Sequence, residues 1–169
     1  MPQFENAPIQ RHESLAPFSR DHYGGLVQAR RLIKAAGDDD VARRKVLCEF
    51  VDAWDREIAE HFRDEQRLLL DVMSEDDRER LLREHRQLTD FAARARELRR
   101  QTDPDAETLK QIGESLERHI RWEERELFAR LQDQLDDEQL AAIGHHTAEI
   151  EASRPRNACR DGGEGQSST

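Results

Sequence analysis

Four long stretches of this chain repeat apolar residues at intervals of three and four, the period of a helix that buries one face. The first, from about Leu15 to Ala36, carries Leu15, Phe18, His22, Gly25/Leu26, Ala29 and Leu32/Ile33. The second, from about Val41 to Met73, carries Leu47, Phe50/Val51, Trp54, Ile58, His61, Glu65, Leu68/Leu69 and Val72. The third, from Ser74 to about Arg100, carries Leu81/Leu82, His85, Leu88, Ala92, Ala95 and Leu98. The fourth, ending near Leu135, carries Leu109, Ile112, Leu116, His119, Glu123, Leu127 and Leu131.

Helix punctuation falls between these stretches. Gly37 followed by Asp38-Asp39-Asp40 ends one helix and starts the next. Ser74-Glu75-Asp76-Asp77 is a cap of the Ser-x-x-acid kind. Thr102-Asp103-Pro104 predicts an N-cap with proline in the first turn. Asp136-Asp137-Glu138 opens a short fifth helix through about Ile150. No Val/Ile/Thr alternation occurs, so no sheet is predicted. The expected fold is all-α: an up-down-up-down four-helix bundle with a short extra C-terminal helix. Residues 1–14 form a lead-in with Pro2 and Pro8, 15–150 the bundle, and 151–169 a Gly-, Ser- and Arg-rich tail expected to be disordered.

Composition narrows the partners. The formal net charge of −10 over 169 residues offers neither a basic footprint for nucleic acid nor a polybasic patch for a membrane. The first residues hold no apolar core of a secretory signal, and no window is apolar enough to span a bilayer, so a cytoplasmic protein is expected. The two cysteines predict no disulfide or thiolate site: Cys48 reads as a small core residue and Cys159 as a free thiol in the tail.

Six residues do not belong on an apolar stripe. His22, His61, Glu65, His85, His119 and Glu123 stand where leucine would serve a bundle core. Burying imidazoles and carboxylates is costly unless something pairs with them. A metal centre pairs with all six at once. His61/Glu65 and His119/Glu123 are i,i+4 pairs, so each pair projects from one face, one turn apart. Imidazole with carboxylate suits iron, manganese or zinc, and the lack of thiolate argues against copper(I) and iron–sulfur clusters.

Depth along the helices tests the idea. At about 1.5 Å per residue, His61 and His85 lie about 20 and 17 Å from the turn near Ser74. His85 and His119 each lie about 25 Å from the turn near Thr102. His22 fits less well, about 22 Å from Gly37 against more than about 30 Å for His61. Its agreement requires residues 38–44 to form a turn or an overhang. His12, His145 and His146 are expected outside the site. Glu57, one turn before His61, is a candidate to hold an imidazole N–H, and Glu124 is a rival of Glu123 that lies about 100° off its stripe.

At these residues the sequence resembles the hemerythrin-like, or HHE cation-binding, family. The resembling segments are Arg20-Asp21-His22, His61-Phe62-Arg63-Asp64-Glu65, Glu84-His85-Arg86 and the stretch from His119 to Phe128, within a region from about Leu15 to Leu135. The resemblance implies a non-haem di-iron centre, oxo- or hydroxo-bridged, with Glu65 and Glu123 as bridging carboxylates and His22, His61, His85 and His119 as terminal ligands. A single metal is also compatible. The pattern departs from oxygen-carrying hemerythrins in two places. Thr89 stands where they have a second histidine of the third helix, and His119-x3-Glu123 replaces their His-x4-Asp. Open positions on both irons would then favour a site that reacts with dioxygen, peroxide or nitric oxide, or handles iron. The Glu-x-x-His of ferritin-like sites and the His-Glu-x-x-His of zinc proteases are absent. Three functions follow: a di-iron protein that binds or senses a diatomic ligand or peroxide, an enzyme that removes peroxide or repairs nitrosative damage at the same centre, or a metal-free helical interaction module.

Overall fold

A computed structural model describes residues 9–154. Among them there are helices and connecting turns and no strand. Helix α1 is Ala16–Ala35, with proline in its first turn. Helix α2 covers residues 40–69 and contains a π-helical turn at Trp54–Ile58. Helix α3 is Glu75–Leu98, and α4 covers residues 106–134 with a second π turn at Glu123–Leu127. Helix α5 is Asp137–Ser153. The first four form the up-down-up-down bundle, and α5 is the additional C-terminal helix. No helix among the described residues is long and apolar enough to cross a membrane.

The caps explain the borders. Asp39 accepts from the Ala42 N–H at 2.9 Å, and Ser74 from the Asp77 N–H at 3.2 Å. Asp136 and Gln139 form a reciprocal capping box at the start of α5. The start of α4 differs from the expected cap at Thr102. Asp105 is the cap, accepting from the Thr108 N–H at 2.8 Å, and Pro104 lies before it. Helix α5 is also longer than expected, continuing past Ile150 to Ser153 and so into the predicted tail. The remainder of that tail, with Cys159, lies outside the described residues, as do residues 1–8 of the lead-in. Cys48 is exposed, not a core residue: it sits beside the buried Leu47 on the outer face of α2.

Two apolar clusters fill the bundle. One is built on Leu32, Phe50, Trp54, Leu88, Ile112 and Leu116. The other, at the opposite end, is built on Leu15, Phe18, Leu69, Leu81, Leu127 and Phe128. Helices α1 and α4 approach most closely, and glycine permits it: a Cβ on Gly113 would stand 2.6 Å from the Ala29 carbonyl oxygen. That contact brings the face of α1 carrying His22 against the face of α4 carrying Glu123.

The π turn in α4 corrects its register. Leu131 lies twelve residues after His119; on an unbroken α-helix it would be rotated about 120° away. With one residue absorbed by the π turn, the offset falls to about 20°. Both side chains are buried, so the apolar seam continues past the polar site.

Candidate metal centre

All six stripe residues meet between the two apolar clusters. His22, His61, His85 and His119 are at most 5 % exposed, and Glu65 and Glu123 are fully buried. The doubtful level of His22 resolves as an overhang. Helix α2 is helical from Asp40 onward, so about 32 Å of helix precede His61, against about 20 Å between His22 and the end of α1. The protruding first turns of α2 are tied down where Arg43 bonds Asp103 and the Pro104 carbonyl and Arg44 bonds the Thr102 carbonyl.

The four imidazoles turn their Nε2 atoms inward on the two carboxylates. His22 Nε2 stands 3.4 Å from Glu65 Oε1 and 3.0 Å from Glu123 Oε2, and His61 Nε2 is 3.2 Å from Glu65 Oε1. His85 Nε2 stands 3.4 Å from Glu65 Oε2 and 3.7 Å from Glu123 Oε1, and His119 Nε2 is 3.1 Å from Glu123 Oε1. Each carboxylate therefore gives one oxygen to the His22–His61 pair and the other to the His85–His119 pair. Two four-residue groups result, His22/His61/Glu65/Glu123 and Glu65/His85/His119/Glu123, and in each the ligand atoms lie within 4.8 Å of one another.

These donors lack partners of their own. The Nε2 atoms of all four histidines and both oxygens of Glu65 and Glu123 are buried without a hydrogen bond. Buried polar atoms are ordinarily satisfied, and so many inward-facing donors in one place fit a bound cation. The electrostatics agree. Burial and mutual repulsion both disfavour a charged Glu123 beside Glu65, yet His119 and His22 hold it below the ordinary carboxylate range. Burial likewise opposes the charge on Glu65, and His61, His22 and His85 overcome it, holding its pKa well below the ordinary value. Burial also works against charged imidazoles, but Glu65 and Asp21 raise His61 to about 9, and Glu123 and Glu84 raise His119 to about 9. For His22 the carboxylates Glu123, Glu124 and Glu65 outweigh burial and lift its pKa well above the histidine value. Two buried carboxylates create a field that demands positive charge, whether protons or metal.

Three of the four outward nitrogens hydrogen-bond to neighbouring helices, and the fourth, His61 Nδ1, faces a carboxylate without a hydrogen bond. His22 Nδ1 meets Glu124 Oε1 at 2.6 Å, His119 Nδ1 meets Glu84 Oε2 at 2.8 Å, and His85 Nδ1 meets the Gln66 side-chain amide at 2.9 Å. His61 Nδ1 faces Asp21 Oδ2 at 3.4 Å. Glu57, the sequence candidate for that place, instead approaches Gly24, where a Cβ would stand 3.6 Å from its Oε2. Glu124 proves to be the support of His22 and not a rival of Glu123. His12 accepts from the Ser14 N–H at 3.2 Å, and His145 and His146 are exposed beside Glu149; none of the three joins the cluster.

A model of the hemerythrin HHE cation binding domain matches residues 20–131. The chain belongs to that family. No curated protein and no solved structure matches it. The matched region contains all six cluster residues, whereas the segment before residue 20 and helix α5 lie outside it. The buried His/Glu cluster of this HHE domain is compatible with metal binding. A cavity of about 440 Å³ borders the His22–His61 pair, with Gly24, Gly25, Gln28 and Phe62 in its wall; the His85–His119 pair does not line it.

Proposed function

We propose that this protein is a non-haem di-iron protein in which His22, His61, His85 and His119 are terminal ligands and Glu65 and Glu123 bridge the two metals. It binds or responds to dioxygen, peroxide or nitric oxide, or handles iron. The observation that carries this reading is the division of each carboxylate's two oxygens between two pairs of imidazoles. A single-metal site would need one such set, and a metal-free bundle would have to hold four buried imidazoles against two buried carboxylates as ion pairs alone. The nitrogen and oxygen donor set suits iron, and ferrous ions bound there would supply redox electrons and coordination positions that the protein does not fill.

The chain's own residues define what can approach. Thr89, where oxygen carriers have a further histidine, donates its hydroxyl to the His85 carbonyl at 2.8 Å and offers no imidazole. Both pairs thus have two histidines each, which supports reaction with a small oxidant over simple reversible carriage. The cavity beside His22 and His61 gives one half of the centre a route for a small molecule.

The test is reconstitution of the metal-free chain with ferrous iron. Two irons per chain and a visible absorption band altered by azide or peroxide are expected. Protein that stays iron-free ends this reading. The cavity also supports a second reading, an enzyme, because about 440 Å³ exceeds what a diatomic molecule needs. Catalytic loss of peroxide or nitric oxide, abolished in Glu65→Ala, would establish turnover; stoichiometric binding alone would exclude it.

A further inference from the structure

The two halves of the cluster are braced differently. In the His85–His119 half, the bracing groups are local to the bundle. Glu84, which meets His119, is held by Arg80 one turn earlier on the same helix at 2.8 Å, and His85 meets Gln66. In the His22–His61 half, both bracing carboxylates are gripped by arginines from outside the region matched to the family.

Arg11 precedes α1, and its side chain is only 7 % exposed. One of its nitrogens donates to Glu124 Oε2 at 2.8 Å and to the Glu124 carbonyl at 2.5 Å. Its Nε donates to Ser19 at 3.2 Å, and its remaining nitrogen to Gln132 Oε1 at 3.2 Å. The guanidinium also lies 5.1 Å from the centre of the Phe128 ring, which stacks on the His22 ring at 5.6 Å and 10°. Arg11 thus fixes His22 by two routes, through Glu124 and through Phe128. At the other end of the chain, Arg154 follows α5 and clamps Asp21 with two hydrogen bonds of 2.8 Å each. Asp21 Oδ2, the oxygen shared with one of those bonds, is the atom that faces His61 Nδ1. A bidentate guanidinium fixes the plane of a carboxylate as well as its position.

We propose that Arg11 and Arg154 are positioning residues for the His22–His61 half of the centre, so that the two chain extensions hold one metal position and leave the other to the bundle. This rests on the dinuclear reading above. The consequence is an unequal pair of sites, with the one braced by the chain extensions bordering the cavity.

The test uses the full chain, stripped of metal and titrated anaerobically with ferrous iron, with Mössbauer spectra to separate the two iron environments. Arg11→Met and Arg154→Met keep apolar bulk and remove the fork. Each is expected to weaken one of the two binding steps ~10-fold or more and to move one spectral doublet, leaving the other step within about threefold. Arg80→Met is expected to act on the opposite step and doublet. Arg154→Met sits at the exposed end of α5 and serves if Arg11→Met fails to fold by circular dichroism. A purely structural role would lower thermal stability without separating the steps, and that result overturns the proposal. So do equal losses at both steps, or an Arg80→Met variant indistinguishable from Arg154→Met. Wild-type chain that takes up one iron or none sinks the dinuclear reading and this inference with it. Two irons in wild type with neither step moved by the arginine variants sinks this inference alone.

Discussion

Free of metal, this bundle should show an unusual dependence on pH. His61 and His119 are raised from 6.5 to about 9 in the folded chain by the carboxylates around them. A raised folded-state value means that the folded chain binds protons more tightly than the unfolded chain. The stabilisation is fully present below the unfolded value and is lost as pH rises through the folded one. At about 1.4 kcal/mol per pH unit, each of these two histidines contributes on the order of 3 kcal/mol at pH 6 that is largely gone by pH 9. Glu65 and Glu123, held below their ordinary values, act in the other direction: their contribution is present above the ordinary carboxylate range and is lost as pH falls below it. The metal-free chain should therefore be most stable near pH 5 to 6.5 and lose several kcal/mol on the alkaline side. On the di-iron reading, metal binding must displace the same protons, so iron should stabilise the chain more at pH 9 than at pH 6. Urea unfolding of stripped and loaded protein at a series of pH values measures both. With a slope of about 2 kcal/mol per molar urea, the stripped midpoint should fall by roughly 2 M or more between pH 6 and pH 9. A stripped midpoint that stays flat or rises over that interval would refute the electrostatic account of the cluster.

Other outcomes follow from the same geometry. On the di-iron reading, Glu65→Gln and Glu123→Gln should each reduce uptake at both metal positions, because each carboxylate faces both histidine pairs, whereas His85→Leu should impair one; iron per chain distinguishes them. Gly113→Ala, which sets a methyl 2.6 Å from the Ala29 carbonyl oxygen, should destabilise the bundle by about 1–3 kcal/mol, seen as a lower melting temperature. Asp136→Ala removes the capping box of α5 and should cost about 1 kcal/mol; because α5 carries Arg154 at its end, amide exchange in α5 should rise before exchange in α4 does.

The way the site was encoded separates what a linear reading can reach from what it cannot. His61/Glu65 and His119/Glu123 were legible because an i,i+4 pair on an apolar stripe shares one helical face whatever the rest of the chain does. The braces were not. Asp21 is adjacent to His22 but faces His61; Glu84 is adjacent to His85 but faces His119; Glu124 is adjacent to Glu123 but faces His22. An acidic residue next to a stripe residue points about 100° off the stripe, toward the neighbouring helix. The signal was present in the dipeptides, yet its target depends on which helix lies on that side. The overhang of α2 and the π turns at Trp54–Ile58 and Glu123–Leu127 were hidden for a similar reason. Neither changes the local propensity; the overhang depends on the level at which the neighbouring helices pack, and the π turn in α4 carries its apolar seam past the polar site.

The sequence by itself determined the class of fold, the faces that turn inward and the six residues that had to find a charged partner inside. Periodicity and burial are local properties, fixed by 3.6 residues per turn and by the cost of hiding polar groups. Only the tertiary structure decided which carboxylate oxygen faces which imidazole. It also decided that Arg11 and Arg154, more than a hundred residues apart along the chain, brace the same half of the cluster. Those choices are made by helix packing, and packing brings together residues that share no sequence neighbourhood.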